Sequence, residues 1–189
     1  SDKLTLIDPG PIDAVQLQNF LVAIGDATLV NILVTHTHGD HSPGALALAQ
    51  QTGARLVGLN APQAPGQDHS FVSDITCADG DIIECRDSAG CYSLQMIHTP
   101  GHVSNHLCFF LREEGLLFTG DHVLQGTTPV ILPPDGDMSD YLASLERLLQ
   151  LPLVALAPAH GVVMPAPFTP LETLIAHRLK REAKILDRL

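Results

Sequence analysis

Apolar positions along the chain follow two periods. Helical spacing appears over Asp13–Ile24, where Leu17, Leu21 and Ile24 share one side, and again over Gly44–Gln51, with Gly53 placed to stop it. A third helix is predicted over Ser139–Gln150, with Ser139 as N-cap and Leu142, Leu145 and Leu149 turned inward. The last segment reads as a fourth, with Ile175, Leu179, Ala183 and Leu186 as its apolar stripe. Between them lie short, β-branched or apolar runs that read as strands: Leu29–Val34, Arg55–Leu59, Ile82–Cys85, Tyr92–Ile97, Leu107–Leu111, Leu116–Phe118 and Leu153–Ala157. Ala61–Ser70, with its Pro and Gly residues, reads as a loop. No linker or short repeat interrupts the alternation. One domain over residues 1–189, with a rough two-fold division, is expected, and pattern alone gives α/β or α+β.

Composition narrows the class. With 189 residues, 45% of them hydrophobic, the chain can bury a substantial core. No apolar run approaches the roughly 20 residues of a membrane-spanning helix and no signal peptide is visible, so no membrane partner is expected. Cys77, Cys85, Cys91 and Cys108 lack C-x-x-C spacing and read as reduced thiols in or near the core, which favours a cytoplasmic setting. A net charge of −11 argues against general affinity for nucleic acid. Half of the ten Lys and Arg residues fall in the last twelve positions, where Arg181, Lys184 and Arg188 read as a solvated helix face.

Candidate chemistry is concentrated in Thr35-His36-Thr37-His38-Gly39-Asp40-His41, which packs three imidazoles and a carboxylate just past the Leu29–Val34 strand. Neutral imidazole and carboxylate are the ligands of catalytic zinc sites. Three further candidates also follow apolar runs: His102 in Thr99-Pro100-Gly101-His102, Asp121 in Thr119-Gly120-Asp121, and His160 in Pro158-Ala159-His160-Gly161. Loops at the carboxyl ends of strands are where distant segments converge on one rim.

In that order, H-x-H-x-D-H, T-P-G-H, G-D and A-H-G, the motifs resemble the metallo-β-lactamase superfamily over nearly the whole chain. The resemblance implies an α/β four-layer αβ/βα sandwich. Relatives place one or two strands before Leu4–Gly10, so it also implies that an amino-terminal edge is missing here. Carried over by position, His36, His38 and His102 hold a first metal; Asp40, His41 and His160 hold a second; Asp121 bridges them. Two divalent ions, zinc the expected metal, are implied as cofactors, with a bridging hydroxide as nucleophile that Asp40 orients. The two ions less Asp40, Asp121 and the hydroxide leave a centre of roughly +1, able to draw an anionic substrate.

Departures from neighbouring branches refine this. Flavodiiron relatives carry Glu where this chain has His38, and β-lactamases proper carry Cys or Ser where it has Asp121. Asp there resembles the glyoxalase II, lactonase and phosphodiesterase-nuclease branches. Gly120-Asp121-His122, Gly126-Thr127-Thr128 and the run His177–Glu182 resemble the lactamase-like endoribonucleases, whose animal members cleave single-stranded RNA and carry a winged helix after the catalytic domain. The expected function is binuclear hydrolysis of a phosphodiester, thioester or ester, on a small molecule or single-stranded RNA, without a stable nucleic-acid partner. A mononuclear iron persulfide dioxygenase and a non-catalytic metal-binding module are the alternatives. His122, beside Asp121, is either a catalytic contact that donates a proton to the leaving group or a hydrogen-bonding support. His106 is expected to support the site without ligating, His98 to be structural, and His69 and His177 to lie at the surface.

Overall fold

In a computed structural model that describes residues 2–86, 88 and 90–188, the strands form two sheets. The first is parallel, in the order β1 (Lys3–Ile7), β2 (Thr28–Leu33), β3 (Arg55–Gly58), β4 (Ile75–Thr76). The second runs β5 (Ile82–Arg86), β6 (Cys91–His98), β7 (Leu107–Leu111), β8 (Leu116–Gly120), β9 (Ala155–Pro158), antiparallel except for the parallel β8–β9 pair.

Three cores make four layers of this arrangement. Successive side chains of a strand point to opposite faces. On β2 and just past it, Ile32 and Val34 therefore pack under the helices α1 (Ala14–Ile24) and α2 (Gly44–Thr52), while Leu33 faces the other sheet. β7 repeats the device: Leu107 and Phe109 enter the intersheet core, and Cys108 and Phe110 pack toward α3 (Met138–Leu148) and α4 (Phe168–Leu186). Leu107, Cys108 and Phe109 are almost wholly enclosed. A buried Leu or Phe of this kind contributes about 1.5–3 kcal/mol. The sequence of layers is helices, sheet, sheet, helices, the expected sandwich.

Helix ends depart from expectation in two places. α3 starts at Met138, capped by Asp137, whose Oδ1 accepts from the Ser139 and Asp140 amides at 2.7 and 2.9 Å; Ser139 is inside the helix. A carboxylate is also a strong cap, and with it the inward stripe is Tyr141, Leu145 and Leu148, leaving Leu142 and Leu149 half-buried. In α4 the buried positions are Leu171 and Leu174, whereas Leu179 and Leu186 are exposed, so only the first half of the stripe is covered. Among the described residues no helix is long and apolar enough to cross a membrane.

The functional loops leave the carboxyl ends of β2, β6, β8 and β9 at one rim of the sandwich. Two backbone bonds hold that rim: Leu107 N–H donates to Thr35 O at 2.7 Å across the two sheets, and Asp137 N–H donates to Gly101 O at 2.9 Å. Gly101 has φ +139°, and a Cβ there would overlap Tyr141 Cα, so only glycine lets the loop carrying His102 lie against α3.

Candidate metal centre

The loop after β2 brings His36, His38 and His41 to the rim, β6 delivers His102, and β8 and β9 deliver Asp121 and His160. His36 Nε2 is 3.0 Å from His38 Nδ1, which is 3.1 Å from His102 Nε2. A second group lies beside the first. His160 Nε2 is 3.3 Å from Asp40 Oδ2, and His41 Nε2 is 3.6 Å from Asp40 Oδ1. Asp121 stands between them. Its Oδ1 is 3.5 Å from both His41 Nε2 and His160 Nε2, and its Oδ2 is 3.9 Å from His102 Nε2. All seven residues expected from the sequence thus converge, in the groups His36–His38–His102, His36–His41–Asp121 and Asp40–His41–His160.

Hydrogen bonds behind the rings decide which nitrogens face inward. Thr35 Oγ1 donates to Asp8 Oδ2 at 2.7 Å and so accepts from His36 Nδ1–H at 3.0 Å, leaving His36 Nε2 a bare lone pair. His102 Nδ1–H donates to Val130 O at 2.6 Å, with the same result, and His41 Nδ1–H donates to Asp8 Oδ2 at 2.9 Å, which turns His41 Nε2 toward Asp40 and Asp121. His106, fully buried, accepts the Asp121 backbone N–H on Nε2 at 3.2 Å and shares Nδ1 with Thr99 Oγ1 at 2.9 Å. It orients Asp121 from behind. Gly120, at φ +49°, makes this possible, because a Cβ there would sit 2.7 Å from His106 Nε2 and 2.8 Å from Thr35 Oγ1.

Burial, followed by the neighbouring imidazoles, pushes the pKa of His36 well down, and His38 shifts the same way, so both rings stay neutral. At His41 burial also opposes the charged form, yet the Asp121 and Asp8 carboxylates outweigh it and raise the pKa to about 10. Burial alone would raise Asp121; contact with His41 holds it below the usual carboxylate range. His41 Nε2 and Asp121 Oδ1 are buried and lack a partner in hydrogen-bonding geometry. Buried polar atoms are rarely left so. Inward lone pairs and unpartnered anionic oxygens are what divalent cations bind, so the residues present fit a divalent metal.

The sequence profile described as Metallo-beta-lactamase superfamily matches residues 1–160. The chain belongs to the metallo-β-lactamase superfamily. A hydroxyacylglutathione hydrolase of Ectopseudomonas mendocina is 34% identical over 80% of this chain and 54% of its own length. An atrochrysone carboxyl ACP thioesterase of Claviceps purpurea is 29% identical, covering 94% of this chain and 53% of that protein. A beta-lactamase-like protein 2 homolog of Drosophila melanogaster is 30% identical, covering 96% and 63%. The chain thus spans between half and two thirds of these curated relatives. Among solved structures, a metallo-beta-lactamase family protein of Thermus thermophilus superposes with a TM-score of 0.81 at 24% identity, covering 100% of this chain and 75% of that one, a likeness of fold.

Within this superfamily chain, two residues differ from the sequence reading. His122 is fully buried, its ring 4.7 Å from that of Tyr141 and 5.6 Å from that of His106, and neither ring nitrogen has a hydrogen-bond partner among the described residues. Burial, then His102, pushes its pKa down to about 3. A ring so enclosed stays neutral near pH 7 and is not a cationic proton donor, and among the described residues it makes no side-chain hydrogen bond. Asp8 went unnoticed. It links His41 to Thr35, whose N–H it also accepts at 2.7 Å. The available signal was an acidic residue in Asp8-Pro9-Gly10, a turn between a strand and a helix. His98 Nε2–H donates to Ser104 O at 2.9 Å, a structural contact as expected.

Cavities at the two ends of the sheets differ in content. One of about 920 Å³ lies near the amino ends of β2 and β3 against Asn31, Arg55 and Arg112, and none of the convergent groups lines it. A cavity of about 490 Å³ reaches Asp40, His41 and His160 and is the one that belongs to the site.

Proposed function

We propose that this chain is a binuclear metal-dependent hydrolase, with zinc the expected metal, that cleaves an ester, thioester or phosphodiester. One observation carries the reading: Asp121 presents one oxygen toward His102 and the other toward His41 and His160, the disposition a bridging carboxylate requires. His36, His38 and His102 would hold one ion, and Asp40, His41 and His160 the other. Divalent cations held there supply Lewis-acid charge for the scissile bond and lower the pKa of water toward neutrality.

The chain's own residues do the rest. Asp40, whose side chain is 58% exposed, is the carboxylate open to solvent in the group and would orient the attacking water and accept its proton on Oδ1 or Oδ2. Asp8 and Thr35 fix the tautomers of His41 and His36, and His106 fixes the backbone of Asp121. His122 takes no part in proton transfer. The names of the relatives, a hydroxyacylglutathione hydrolase and an ACP thioesterase, favour thioesters over phosphodiesters. A mononuclear oxygenase would leave Asp40 and His160 without a role.

The test is metal analysis with a hydrolysis screen across acyl-thioesters, lactones, cyclic nucleotides and RNA, each with a chelator control. Two ions per chain and chelator-sensitive turnover are expected. One ion per chain, or no turnover on any of these, would reject the proposal.

A further inference from the structure

Of the three rings in the first group, His38 is the one with no hydrogen bond behind it. His36 has Thr35 there and His102 has Val130 O. His38 turns Nδ1 toward His36 and His102, and among the described residues its Nε2 has no hydrogen-bond partner. Its placement is therefore left to the backbone. His38 forms an isolated antiparallel bridge with Gln67, and the Asp68 N–H donates to Thr37 O at 2.6 Å. The segment 60–70, which supplies no candidate ligand, thus lies along the loop that carries His36, His38, Asp40 and His41.

The Gln67 side chain closes a circuit of hydrogen bonds across the rim. Asn105 Nδ2 donates to Thr37 Oγ1 at 2.8 Å, and Thr37 Oγ1 donates in turn to Gln67 Oε1 at 2.5 Å. Gln67 Nε2 donates to Asp135 Oδ2 at 2.9 Å, and Asp135 Oδ1 accepts from the Ser104 N–H at 3.1 Å, next in the chain to Asn105. Thr37 and Asn105 are buried, so a partner lost there is not replaced by water. The segment around Asp135 also holds the His102 loop: Val130 O accepts the His102 ring N–H, and Asp137 N–H donates to Gly101 O. His36 and His38 follow a strand of the first sheet and His102 a strand of the second, so the circuit joins the two loops whose rings meet in the first group. Asp40, His41 and His160 make no hydrogen bond to it among the described residues. We infer that Gln67 is a positioning residue for the first ion: through Thr37 and Asp135 it holds the His38 loop against the His102 loop, an inference that rests on the metal-centre reading above.

The probe is Zn2+ alone, its affinity read by competition with a chelating dye. Gln67→Glu keeps the length of the side chain but sets two carboxylates against each other where the amide now donates to Asp135. First-ion affinity, isolated in a His160→Ala background, should fall about tenfold, while second-ion affinity, isolated with His102→Ala, should stay within about twofold. Adding Asp135→Asn inverts the polarity of the pair: its new amide donates to the new carboxylate, and its oxygen keeps the Ser104 N–H. The first-ion affinity should then recover to within about twofold of the parent, a coupling that general damage to the fold would not produce. An unchanged first-ion affinity in Gln67→Glu, an equal loss at both ions, or no recovery in the double variant would overturn the inference while leaving the metal centre intact. Should the parent protein hold no zinc, the hydrolase reading falls, and the His38 ring resonance of the metal-free protein decides instead. It must shift in Gln67→Glu and return in the double variant; a resonance that stays in place overturns the inference as well.

Discussion

Asp8 Oδ2 accepts the Nδ1–H of His41 across 2.9 Å, and the same carboxylate holds both the amide and the hydroxyl of Thr35. One acidic residue therefore sets the ring orientation of a candidate ligand in the second group and, through Thr35, the tautomer of His36 in the first. Asp8 also has φ +50°, a conformation that non-glycine residues adopt at a cost of about 1–3 kcal/mol, and its three hydrogen bonds offset that strain.

Asp8→Ala should accordingly weaken metal binding by about ten- to a hundredfold without removing any ligand. Competition with a chelating dye reads the affinity, and an unchanged value would show that Asp8 does not orient the rings.

Asp121→Asn retains the shape of the side chain and removes the charge that two cations would share. Metal content should fall below two ions per chain, and hydrolysis by at least about a hundredfold, with the circular dichroism spectrum unchanged. Full metal content with normal turnover would remove the bridging role.

His122→Phe should be well tolerated. Replacing a buried, unpartnered imidazole by an apolar ring removes a desolvation cost of about 1–3 kcal/mol, so the melting temperature should hold or rise and turnover stay within about threefold. A hundredfold loss of rate in a folded, metal-loaded variant would reinstate proton transfer at this position.

Stability of the metal-free chain should pass through a maximum near the ordinary histidine pKa of about 6.5. The pKa of His41 is raised to about 10 by Asp121 and Asp8, against burial, so its contribution is fully present below pH 6.5 and lost as pH rises toward 10. His36 and His106, lowered by burial and neighbouring imidazoles, act the other way: the unfolded chain protonates first, and stability is lost as pH falls below 6.5. Urea titrations from pH 5 to 10 in chelator measure both limbs, and His41→Asn should flatten the alkaline one.

Gly101→Ala tests the join between the His102 loop and α3. With its Cβ driven into Tyr141 Cα and its φ at +139°, the variant should lose about 3 kcal/mol or more, read as a lowered urea midpoint. A loss below about 1 kcal/mol would show that the loop can move away from α3.

The strands and helices were legible in sequence because their burial is one-sided and repeats at 2 or 3.6 residues, as in α3, where Tyr141, Leu145 and Leu148 share the inward side. Element ends were less legible. Asp137 and Ser139 are both competent caps, and only packing of Tyr141 beneath Gly101 selects the first. The stripe Leu179–Leu186 has helical period, yet period does not say whether a surface lies opposite it.

At the candidate centre the division has the same cause. The chain by itself set which side chains could meet: imidazoles and carboxylates on loops just past apolar strands, in an order shared with a known superfamily. What tertiary structure alone decided was their surroundings. Asp8 is remote from His41 in sequence and touches it only because β1 pairs with β2. His122 adjoins Asp121 in sequence but turns into the core beside Tyr141, away from the rim. Ligand type is a property of the residue. Tautomer, protonation and solvent access are properties of its neighbours, and those come from segments far apart along the chain.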